Sequence, residues 1–94
     1  MNQRVIERRL RDVMSKLERA REELALSDEQ LASFVDDADD ARIRSLVAET
    51  PIADREWQVA SRHAEAMSRS RRSAQERVAE LERARDDLLG KLVV

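Results

Sequence analysis

Glu49-Thr50-Pro51-Ile52 is the strongest punctuation in the chain, and its reading decides the fold. Thr50 is suited to cap a helix, because its hydroxyl accepts a hydrogen bond from an orphan N–H of the turn that follows. Pro51 then occupies the first helical position, where a missing N–H costs nothing. Asp54 and Glu56 follow, where carboxylates favour the positive end of the helix dipole. The residue before a proline avoids helical backbone, so an earlier helix ends just upstream.

Working outward from this turn, apolar residues recur at alternating spacings of three and four. Before it, Leu10, Leu17, Leu24, Leu31, Ala38 and Ser45 form one row, and Ile6, Val13, Ala20, Ser27, Phe34 and Ala41 a second. These are the a and d rows of a heptad. After the turn, Trp57, Ala64, Arg71, Val78, Arg85 and Leu92 continue as a, and Ala53, Ala60, Met67, Ala74, Leu81 and Leu88 as d. The pattern predicts an all-α chain: a long antiparallel two-helix coiled-coil hairpin. It forms one domain over residues 1–94, with a helix at about 3–48, a turn at about 49–51 and a helix at about 52–92.

Folding the chain at Pro51 places Leu10 opposite Leu92, Leu24 opposite Val78, Ala20 opposite Leu81, Phe34 opposite Met67 and Ser45 opposite Trp57. Large side chains then mostly face small or adaptable ones. In the flanking positions Arg21 faces Glu82, Glu23 faces Arg77, Asp37 faces His63 and Met14 faces Leu89. A competing architecture comes from Ser27-Asp28-Glu29-Gln30, which has the form of a capping box. A break there gives a three-helix bundle instead, although the heptad stays in phase across Ser27.

Composition agrees with a helical chain. Charged residues are 40% and aromatics 2%, with one glycine, one proline and no cysteine. Lys and Arg (18) nearly balance Asp and Glu (20), and regular apolar spacing argues against disorder. A net charge of −2 gives no general attraction to nucleic acid or anionic membranes. The absence of cysteine removes a disulfide framework and a thiol nucleophile. No signal peptide or membrane span is read, and the expected location is cytoplasmic.

Little in the sequence points to catalysis, and neither a cofactor nor a metal site is expected. His63, the one histidine, faces Asp37 in the manner of a base with its orienting carboxylate, but no motif sets a nucleophile beside them. Asp36, Asp37 and Asp40 share one side of their helix while Asp39 points elsewhere; a solvated acidic contact face is the expectation. Arg62, Arg69, Arg71, Arg72 and Arg77 form a basic run, but Glu65 and Glu76 interrupt it and no aromatics interleave, which argues against nucleic-acid binding. Arg71 and Arg85 are unexplained residues in the seam, where their stems can pack while the guanidinium groups reach water.

Around the turn, Ile43, Leu46, Val47, Ile52, Trp57 and Val59 leave the heptad rows or crowd its end. They are the candidate partner-binding patch, with Trp57 as its anchor. Val5, Met14, Val35, Leu89 and Val93 are further apolar residues outside the seam. Together they favour a homo-oligomer, with two hairpins forming a four-helix assembly, or docking on another protein. The expected function is therefore non-catalytic, an interaction or scaffold role. The alternative is a small transcription-associated regulator, anti-sigma-like or docking on RNA polymerase.

In its Arg/Ala/Glu-rich helices and its Glu49-Thr50-Pro51 turn, the chain resembles small uncharacterised coiled-coil proteins of actinobacteria. That resemblance implies the fold and no function. The acidic cluster near the hairpin tip resembles, in placement, the coiled-coil tips of Gre-type transcript-cleavage factors, though here the acids lie outside the turn itself. Ser68, Arg71 and Gln75 are similar to three positions of the coiled-coil motif of cyclic-di-GMP-binding anti-sigma factors, while Ala64 and Ala79 stand where that motif has carboxylates. Trp57-Gln58-Val59 lacks the glycine of the secreted Trp-x-Gly helical hairpins and falls inside the second helix.

Overall fold

A computed structural model describes residues 2–92 of the chain. Among these residues it contains two α-helices, α1 (Gln3–Ala48) and α2 (Pro51–Lys91), and no strand. The fold is all-α, an antiparallel two-helix hairpin. α1 runs unbroken through Ser27, so the three-helix alternative does not form. The reason lies in the phase of the heptad. Ser27 is half-buried at a d position, and the non-helical backbone of a cap would turn it out of the seam.

Both ends of the connection are capped. At the end of α1, Glu49 takes a left-handed backbone with φ 53°, and its N–H donates to the Ser45 carbonyl at 3.1 Å. This is the single-bond αL termination, which satisfies a carbonyl the helix would otherwise leave open. At the start of α2, the Ala53 N–H donates to the Thr50 hydroxyl at 3.2 Å. Asp54 lies in that first turn, its own N–H bonded to the Thr50 carbonyl. The far end of α1 carries a cap that apolar spacing does not mark: the Asn2 side-chain oxygen accepts from the Val5 N–H at 3.0 Å.

The heptad rows become the buried stripe. All six a positions and all six d positions of α1 are buried or half-buried, and the same holds in α2 except at Trp57. The chain divides into two packed units. One consists of the chain up to Ala25 together with the chain from Ser73 onward. Its core is Leu17, Ala20 and Val78, with Leu24 and Leu81 packed against them. Leu17 is the one large side chain fully buried among the described residues. Here the expected pairing forms, and Arg21 Nη2 reaches Glu82 Oε2 at 3.7 Å. Val93 lies outside the described residues.

The second unit, Leu26–Arg72, contains the turn. Its buried side chains are small: Ala41, Ser45 and Ala53. Folding at Pro51 set Ser45 opposite Trp57; the residue that Ser45 bonds across the turn is Asp54. The buried Ser45 hydroxyl donates to Asp54 Oδ1. The connection is only Glu49 and Thr50, so the chain reverses ahead of Pro51 and pairing near the turn shifts by about one helical turn.

The two caps make opposite predictions. Glu49→Gly relieves a left-handed backbone that disfavours side chains and is expected to raise stability by about 0.5–1 kcal/mol. Thr50→Ala removes the hydroxyl acceptor and is expected to lower it by about 1 kcal/mol. Urea unfolding of each variant at one fixed protein concentration reads both; a destabilised Glu49→Gly variant would refute the assignment of the turn.

Candidate functional site

Eight of the ten large apolar side chains that are exposed among the described residues lie in Leu26–Arg72. They are Leu26, Val35, Ile43, Leu46, Val47, Ile52, Trp57 and Val59. This is the unit whose buried side chains are alanine and serine. The shortage of buried apolar surface and its excess outside are therefore features of the same part of the chain.

Four of the six residues expected to form a patch line two hollows. Ile43, Val47 and Ile52 line a hollow of about 430 Å³ beside the turn, along with Ala48, Ala53 and Thr50, and with Arg44 and Glu56 at its edge. Ile52 and Val59 also line a second hollow of about 390 Å³. Its apolar wall is completed by Phe34 and Ala60, and its polar residues are Asp37, Arg55, Glu56 and His63. Ile52 and Glu56 border both. Leu46 and Trp57 line neither hollow; Leu46 is 63% exposed and Trp57 37%. No sequence signal marked Phe34 as part of this surface. It is a d residue, yet it is only half-buried and opens onto the hollow.

His63 and Asp37 sit on the same hollow, as their opposed positions implied. The His63 ring stands edge-on to Phe34, with centroids 6.0 Å apart and planes at 84°. That T-shaped contact uses the imidazole as an aromatic plate. Asp36, Asp37, Asp39 and Asp40 are all exposed. Among the described residues, no three His, Cys, Asp or Glu side chains are placed to hold a metal ion. No helix among them is long and apolar enough to cross a membrane.

The two seam arginines have partners. The Arg71 Nε donates to Asp28 Oδ1 across the hairpin, and the Arg85 Nε to Asp86 Oδ1 of its own helix at 3.0 Å. Both arginines are half-buried, so stems pack in the seam while head groups reach carboxylates at its edge. Asp28, part of the unused capping box, thus acts as a cross-helix acceptor. Of the residues on the cyclic-dinucleotide-like motif, Ser68 and Arg71 are half-buried and Gln75 is exposed.

Comparison with known proteins found no matching family model, no matching curated protein and no matching solved structure.

Both side chains of the Arg71–Asp28 pair are more than a third exposed, so solvent screens it. Arg71→Met, which keeps the packing stem, is expected to leave stability within about 1 kcal/mol of the parent or to raise it. Chemical unfolding measures this. A loss well beyond that range would mean the ion pair is a main support of the seam.

Proposed function

We propose that this chain is a non-catalytic interaction protein that works by surface contact, and that it associates with a second hairpin into a four-helix assembly. The observation that carries the reading is the inverted burial of Leu26–Arg72, small residues inside and large apolar residues outside. Free energy is gained when such side chains leave water, at about 25 cal/mol per Å². Ile52 is 73% exposed and Val47 80%, so most of that gain is still open to a partner.

Charge fits contact with a mixed surface better than contact with a polyanion, because both hollows are lined by acidic and basic residues together.

A second reading, docking on transcription machinery, rests on the exposed Asp36, Asp37 and Asp40. Affinity capture from the native host separates it from the first. Recovery of polymerase or sigma subunits, lost when those three aspartates are changed to lysine, would favour it.

For the main reading, light scattering of the whole chain at micromolar concentration is expected to give twice 10.9 kDa. The thermal midpoint is expected to rise with protein concentration, as it does when association and folding are linked. A monodisperse monomer with a concentration-independent midpoint would overturn self-association.

A further inference from the structure

We infer that the second copy docks on one particular face, the side of the turn-containing unit that bears Ile43, Val47, Ile52 and Val59, as an isologous pair. This deepens the self-association reading and rests on it. A two-fold contact requires one patch to be complementary to itself. Here the same face carries projections and recesses side by side. Ile52 stands between the two hollows of about 390 and 430 Å³, lines both, and is still 73% exposed. A two-fold axis passing midway between Ile52 and one hollow sets that side chain of each protomer against the same hollow of the other.

The charges on the same face are balanced. Asp37 and Glu56 lie at the hollows together with Arg44 and Arg55. Two acids and two arginines on one patch repel neither themselves nor a rotated copy, provided each acid meets an arginine. A polyanion would meet the two acids, and a strongly acidic or basic protein would meet two like charges. Four exposed apolar side chains with charged residues beside them have the mixed composition of a protein–protein contact. Leu46 and Trp57 line neither hollow and are not part of the proposed contact.

The test uses the full chain and reads its dimer dissociation constant by analytical ultracentrifugation, with far-UV circular dichroism to follow helicity. Ile52→Glu is expected to weaken association by at least about tenfold, as a buried central residue does. Leu89→Glu, in the other unit, is expected to leave it unchanged. Because an isolated hairpin with so small a core can lose structure, a charge-exchange pair supplies an independent arm. Arg55→Glu makes the face acidic, and the double variant Asp37→Arg, Glu56→Arg makes it basic. Each is expected to associate poorly alone and to form a heterodimer when mixed in equal amounts. A parent dimer that survives Ile52→Glu, or charge variants that fail to combine, would overturn this face while leaving self-association standing. A dimer lost in Leu89→Glu but kept in Ile52→Glu would move the contact to the other unit. A parent chain that is monomeric throughout would remove both readings.

Discussion

The chain reverses direction over two residues, and the packing of the turn-containing unit follows from how those two are held. Glu49 closes α1 in a left-handed conformation, and Thr50 opens α2 with its hydroxyl. So short a link keeps the helix ends close, and helix separation is set by the side chains at the contact. Only small ones fit. Ala41, Ser45 and Ala53 fill the seam there, and the Ser45 hydroxyl is tied directly to Asp54 across the turn. Ser45 is 6% exposed, so its hydroxyl needed an acceptor, and the carboxylate of the first turn of α2 supplies one.

The consequence appears on the outside. A close-packed alanine and serine seam has no room for Ile43, Val47, Ile52 or Val59, which sit off the heptad rows and remain in water. They line two adjoining hollows with arginine and carboxylate residues around them. Elsewhere in the chain the arrangement is the usual one. Leu17, Ala20 and Val78 are enclosed with Leu24 and Leu81 beside them, and few large apolar side chains are left over. The proposed contact surface thus belongs to the part of the hairpin where the tight turn limits what the seam can hold.

Charge in the seam is handled by geometry. An arginine at an a position reads as a defect in a heptad. Arg71 and Arg85 instead show that the stem can occupy the seam while the head group meets a carboxylate at its edge. The acceptor for Arg71 is Asp28, in a stretch whose local pattern suggested a helix start. Local capping preference lost to the continuity of the apolar stripe, because a cap at Ser27 would have removed a seam residue for the sake of one hydrogen bond.

The helical periodicity, the Thr50-Pro51 start and the two buried rows were legible in residue order, since each depends on spacing along a single helix. The Asn2 cap follows from residue order too, in the preference of asparagine for that position, though it lies outside the apolar spacing. What residue order did not carry was the pairing near the turn. Spacing set Trp57 against Ser45, whereas the bond Ser45 makes across the turn, next to the left-handed Glu49, is to Asp54. Nor did it carry which of the apolar residues around the turn line the two hollows, namely Ile43, Val47, Ile52 and Val59. Both are properties of how two helices are rotated and offset against each other. That offset is set by the backbone of two linking residues and by the bulk of the side chains between the helices, and neither is written in the period of either helix alone.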